Sequence, residues 1–143
     1  MYIISACLLG ENCKYNGGNN FNERVMEIAK NCNYIAVCPE VAVGFPAPRP
    51  PAEIREGRVY NIEGKDLTEQ FQKGAALELA RARELAEELG EEIELAILKS
   101  KSPSCGCGQI YDGTFTHRLV SGDGIFASLL KENRIKILTE EES

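Results

Sequence analysis

Four short apolar runs punctuate the chain: YIISA from Tyr2, YIAVC from Tyr34, ELAILK from Glu94 and IKIL from Ile135. Each is rich in β-branched residues and scarcely interrupted, the pattern of strands buried on both faces. Between them the period lengthens. Leu67, Phe71, Ala75, Leu79, Ala82, Leu85, Ala86 and Leu89 recur at steps of three and four, which predicts a helix over 67–89 with one apolar stripe. Asp66 is placed to cap it, Glu69 to complete a capping box, and Gly90 to end it. A shorter helix is predicted over 21–30 with Val25, Ile28 and Ala29 inward. A third follows SGDG, with Asp123 as cap and Phe126, Leu129 and Leu130 inward.

Strands alternating with helices predict an α/β fold: a small three-layer domain with a mostly parallel sheet of about four strands. Right-handed crossovers make a Rossmann-like strand order of 2-1-3-4 the simplest arrangement. GRVYNIEG and GQIYDGTF each suggest a small hairpin. Two segments are long for connections, 39–65 and 100–124, and both follow predicted strand C-termini. Ligands bind at that edge of parallel sheets, and loops of such length are commonly functional.

The chain has 143 residues, enough for one domain, 1–143, with a core that needs no covalent staples. Its six cysteines are therefore free for chemistry. The first residues carry no basic stretch and too short an apolar run for a secretory signal, and no run approaches the ~20 apolar residues of a membrane span. A cytoplasmic protein is expected, and in that compartment cysteines serve metals or catalysis more often than disulfides. The net charge of −6 argues against a nucleic-acid partner. The acids concentrate in RARELAEELGEEIE and TEEES, whereas Lys14, Arg49, Lys99 and Lys101 each lie close to a cysteine-bearing or proline-rich motif.

Placing the cysteines on this frame changes the picture most. Cys7 and Cys38 end the first and second predicted strands. Cys13 follows in LLGENCKYNGG, and Cys105 follows the third strand in SPSCG. In a parallel sheet all four gather at one edge, where converging thiols make a soft-ligand site. The plain alternative is that Cys7 and Cys38 are small core hydrophobes. Cys32, near a helix end, reads as structural. Cys107 can be a ligand, a resolving thiol or a bystander.

No C-x₂₋₄-C knuckle is present, and the sole histidine, His117, cannot support a His-rich metal site. A thiolate set without histidine suits an iron–sulfur cluster. If three thiolates bind, one iron stays open as a Lewis acid for a substrate. Gly10, Gly17, Gly18, Gly106 and Gly108 would let backbone N–H groups approach the sulfurs, and the four cationic residues would balance the thiolate charge. Glu40, two residues after Cys38, is a candidate general acid or base or, more plainly, a helix cap. Ser102 is a candidate for positioning substrate or water, or a Ser-Pro turn residue. FPAPRPP, with Arg49, suggests a semi-rigid wall over the site. Asp112, Asp123 and His117 read as turn, cap and loop residues.

Six segments stand in an order that resembles the domain-of-unknown-function 523 family, which includes thiouracil desulfidase. They are SACLLGENCKYNGG, CPEVAVGFPAPRPPAEI, GKDLTEQFQKGA, AILKSKSPSCG, IYDGTF and GDGIFASLL, and the likeness runs from Ser5 to about Leu138. The resemblance implies a 4Fe-4S cluster held by three cysteines, chosen from Cys7, Cys13, Cys38 and Cys105. It implies that the fourth iron takes the sulfur of a small-molecule thiolated base, and that water replaces this sulfur without net redox change. Glu40 matches the acid/base position and Ser102 its polar partner. Cys107 and His117 depart from the pattern. Two other readings stay open: a non-catalytic metal or iron–sulfur module, and a thiol redox protein using Cys105 and Cys107. The oligomeric state, a dimer among the options, leaves no mark in the sequence.

Overall fold

A computed structural model describes residues 1–142. In chain order the elements are β1 (Tyr2–Ser5), a 3₁₀ turn (Ala6–Leu9), α1 (Glu23–Lys30), β2 (Tyr34–Val37), α2 (Pro39–Ala42), β3 (Ala52–Arg55), β4 (Arg58–Asn61), α3 (Thr68–Leu89), β5 (Leu95–Leu98), β6 (Gln109–Tyr111), β7 (Leu119–Ser121), α4 (Ile125–Glu132) and β8 (Ile137–Thr139). The four predicted strands are β1, β2, β5 and β8. They form one parallel sheet in the order β2-β1-β5-β8, the arrangement expected.

The sheet is buried because both faces are covered. On one face Ile3, Val37, Ala96 and Leu98 pack with Ala75, Leu79 and Ala82 of α3 and Phe126 and Leu130 of α4. On the other, Ile4 and Ile97 pack with Val25 and Ala29 of α1. Alternate side chains of one strand thus serve two cores, which is why the strands read as unbroken apolar runs. A third cluster joins Ile54 and Val59 to Phe71 and Ile110 beneath the loops. No helix among the described residues is long and apolar enough to cross a membrane.

The helix ends differ from expectation in detail. Helix α3 has Leu67 at its cap position, without a side-chain bond from that residue. Asp66 serves from one residue earlier, accepting from the Thr68 N–H at 2.9 Å and the Thr68 hydroxyl at 2.6 Å, so the expected box with Glu69 is replaced by Asp66–Thr68. Gly90 ends the helix at φ 66, a left-handed turn that favours glycine. Leu89 falls off the stripe and is exposed. Helix α1 begins at Glu23, because Asn22 caps it by accepting from Val25 N–H at 3.0 Å. Asp123 does not cap α4. Gly124 holds that position, while Asp123 accepts from Gly108 N–H and Lys131.

The long connections are structured. After Pro39, which starts a helix well, the 39–65 segment forms α2 and then the β3–β4 hairpin. GRVYNIEG therefore supplies only one strand of that hairpin, and AEIR supplies the other. The GQIYDGTF strand, β6, pairs with β7. Helix α2 lies against α3 at Gly74. A Cβ on Gly74 would stand 1.9 Å from the Pro39 carbonyl oxygen, so only glycine permits this approach.

Candidate functional site

The C-terminal ends of β1, β2 and β5 open into one cavity of about 460 Å³. Cys7, Cys13, Cys38 and Cys105 all line it, as do Glu40 and Ser102. So do Lys14, Arg49, Lys99 and Lys101, which bring four basic side chains to the cavity beside the carboxylates of Glu40 and Glu53. The topology explains the gathering: in a parallel sheet each strand delivers its following loop to the same edge.

The local backbone fixes each thiol. Cys7 sits on the 3₁₀ turn that continues β1, and its sulfur accepts from Asn20 Nδ2 at 3.4 Å. Cys38 is the cap residue of α2. Its N–H donates to Glu78 Oε2 at 2.8 Å, and Arg81 binds the same carboxylate through Nε to Oε1 at 2.9 Å. Cys105 is buried, held in the turn that Ser102 closes by accepting from the N–H groups of Ser104 and Cys105 at 3.1 and 3.0 Å. Cys13 lies in the loop after β1, where its carbonyl accepts from Arg49 Nη2 at 2.9 Å.

The thiols feel one another. Burial pushes the Cys7 thiol up, with the Asn20 bond opposing and the negative charge of a Cys38 thiolate adding to it. Burial also pushes Cys105 well up, against a bond from Ser5 and together with charge on Cys7, Cys38 and Glu40. A thiol–thiol hydrogen bond links Cys13 and Cys38. That bond raises Cys13, adding to its burial, and lowers Cys38, where the Val41 N–H also helps. Protonated thiols are thus the easier state for Cys7, Cys13 and Cys105 until a cation enters, and a bound metal reverses that preference.

Glu40 stands in the first turn of α2. Its Oε1 accepts from Arg49 Nε at 3.3 Å and its Oε2 from the Ser104 hydroxyl at 3.1 Å. Both members of the ion pair are largely buried, at 8 and 15% side-chain exposure, so Arg49 holds the carboxylate in a defined place. Arg49 also donates to the Pro46 carbonyl at 3.0 Å, and its own N–H donates to the Tyr15 carbonyl at 2.6 Å. The proline-rich segment therefore closes against the Cys13 loop, with Arg49 as the fastener.

Several site residues escaped the sequence reading. Ser104 touches Glu40, whereas Ser102 spends its oxygen on the Cys105 turn. Ser5, Asn20, Glu53 and Ser100 line the cavity. Glu78 left a readable signal: it interrupts the buried series Phe71, Ala75, Ala82 at helical spacing, and an acid on such a stripe has a partner. Cys107 does not line the cavity. It lies beside Lys131, which also pairs with Asp123 at 3.0 Å. Cys32 lies apart as well, its thiol donating to the Ile28 carbonyl at 3.4 Å as a structural residue does.

The donor set fits a polynuclear iron–sulfur group. It offers four sulfurs, with cationic side chains close by for charge balance. Among the described residues no three His, Cys, Asp or Glu close around a single ion. A cluster is several atoms across and holds its thiolates farther apart than one ion does.

The chain is 36% identical over 152 aligned positions to YbbK, an uncharacterized protein of Bacillus subtilis, with 99% of this chain and 97% of that protein covered. It is 38% identical to a solved structure described as the 4Fe-4S-dependent thiouracil desulfidase TudS, of the domain-of-unknown-function 523 family. The TM-score is 0.85, with 98% of this chain and 90% of that chain covered. The profile of the 2-thiouracil desulfurase family matches residues 2–142. The chain belongs to the 2-thiouracil desulfurase family.

Proposed function

We propose that this protein removes sulfur from a thiolated nucleobase or a similar thiocarbonyl compound, with water replacing it. For thiouracil, thiouracil and water give uracil and hydrogen sulfide, with no change of oxidation state. The observation that carries the reading is the meeting of four thiols and the Arg49-held Glu40 in one cavity. The family membership and the name of the TudS neighbour support it.

Three of Cys7, Cys13, Cys38 and Cys105 would hold a 4Fe-4S cluster. When bound, it supplies an open, thiophilic iron that draws electron density from the C=S bond. The remaining work falls to the chain. Glu40 is the base that takes a proton from water, while Arg49 and Ser104 keep its two oxygens aimed. Ser102 keeps the Cys105 turn in place and presents its hydroxyl at the cavity edge. Lys99, held by Glu140 at 3.0 Å, and Lys101, held by Glu141 at 3.7 Å, place two ammonium groups at the cavity wall, where they would stabilise an anionic leaving sulfide.

Anaerobic purification tests this directly. The expected protein is brown, with about four irons and four inorganic sulfides per chain, and releases sulfide from 2- or 4-thiouracil. Glu40→Ala should keep its iron and lose sulfide release by about 10²–10⁴-fold, the usual share of general acid–base catalysis. A colourless, iron-free anaerobic preparation overturns the cluster. Normal release by Glu40→Ala overturns the role of Glu40.

A further inference from the structure

The loop between β6 and β7 brings Phe115 and His117 to the same cavity, beside Tyr111 at the end of β6. Their placement is not explained by packing. Phe115 belongs to none of the three apolar clusters, although it is half-buried, and His117 is exposed. His117 meets Tyr111 edge-on, with ring centroids 5.7 Å apart and planes at 82°. Phe115 and His117 both take left-handed backbone, at φ 59 and 62. Side-chain-bearing residues persist there only when their surroundings hold them.

The holder is visible. Glu53 of β3 lines the cavity, and its Oε1 accepts from Gly113 N–H at 3.0 Å and Phe115 N–H at 3.1 Å. Asp112 closes the turn from within, accepting from the N–H and hydroxyl of Thr114 at 2.9 and 2.6 Å. One carboxylate from a separate hairpin thus sets the backbone that aims Phe115.

We infer that Tyr111, Phe115 and His117 form an aromatic wall that recognises the flat ring of the substrate by stacking, and that Glu53 is the positioning residue for that wall. The inference rests on the desulfidase reading for the nature of the ring. Aromatic faces bind any flat heteroaromatic ring, and the thiol-lined part of the cavity, when it holds a thiophilic metal group, would select the ring that bears sulfur.

Two measurements on the anaerobic, iron-loaded protein test it. His117 is the only histidine, so its imidazole proton resonances need no assignment by mutation. They should shift on addition of 2-thiouracil. Phe115→Ala should raise KM for 2-thiouracil about tenfold, equivalent to about 1.4 kcal/mol and within the range of one base-on-aromatic stack, with kcat changed less than about twofold. Phe115→Tyr should restore KM. Glu53→Ala should raise KM in the same way, and Glu53→Gln, which keeps an accepting oxygen, should recover it. A purely structural loop would instead lose iron or kcat.

An active wild type with no His117 shift, or an unchanged KM in Phe115→Ala, overturns the wall. A His117 shift in a wild type that releases no sulfide supports the wall and overturns the desulfidase reading. Neither shift nor release overturns both.

Discussion

At the scale of single residues, the chain spends its polar side chains on holding backbone. Asp66 is the clearest example away from the cavity. The Thr68 hydroxyl, then Arg58, then the Thr68 N–H bring its carboxyl down to about 2 from an ordinary 3.8. A group whose pKa is lowered on folding adds stability above its unfolded value and loses it as pH falls through the folded one. Asp66→Asn should therefore melt below the wild type at pH 5, and the gap should close between about pH 4 and pH 2. Thermal unfolding followed by circular dichroism across that range checks it. A gap independent of pH would mean that the charge is irrelevant. The same economy operates at Ser102. Spacing alone left it a Ser-Pro turn residue as readily as a substrate contact, and the family resemblance pointed it to the site; in the fold its oxygen accepts two N–H groups of that turn. Ser104 was overlooked because a serine in a Ser-Pro-Ser turn carries no periodic signal, and its partner Glu40 is 64 positions away.

At the scale of elements, α3 connects the core to the site. Its stripe was legible from spacing alone, and so were its glycine stop and the strands it covers, because burial on a 3.6-residue period leaves a pattern in composition. Short α2 left almost none: four residues are too few for a period, and only Pro39 marked its start. Yet α2 carries Cys38 and Glu40, and α3 places it twice, through the Glu78 carboxylate and through the missing side chain of Gly74. Gly74→Ala should cost about 1–3 kcal/mol, the usual range for overpacking, despite alanine's better helix propensity. Urea unfolding measures it. A neutral or stabilising result would show that α2 can slide on α3 freely.

At the scale of the whole molecule, the sheet is the element on which everything else depends. Phe126 of α4 is fully buried in the same cluster as Cys105, Val37 and Leu98. Phe126→Ala should cost about 3–5 kcal/mol and should make iron retention sensitive to mild denaturant, as read by iron content after gel filtration. Unchanged stability would mean that the face opposite α1 is not the main core. Strand order and the gathering of Cys7, Cys13, Cys38 and Cys105 were legible before any coordinates, because parallel connectivity leaves few choices. Hairpin partners were not, since AEIR and RVYN are too short and mixed to declare their pairing. The roles of Asp123 and Cys107 also depended on which surface α4 presents.

The sheet order also sets a timetable. The first strand's neighbours are β2, which emerges early, and β5, which begins at Leu95. A ribosome makes the Cys7 and Cys38 loops long before the Cys105 loop exists, and the strand that delivers Cys105 must then insert beside β1. A nascent chain shorter than Cys105 holds an incomplete set of sulfurs on a half-built sheet. The cavity's full set of four thiols thus exists only once nearly three-quarters of the chain has been made, and a product truncated before Cys105 lacks it.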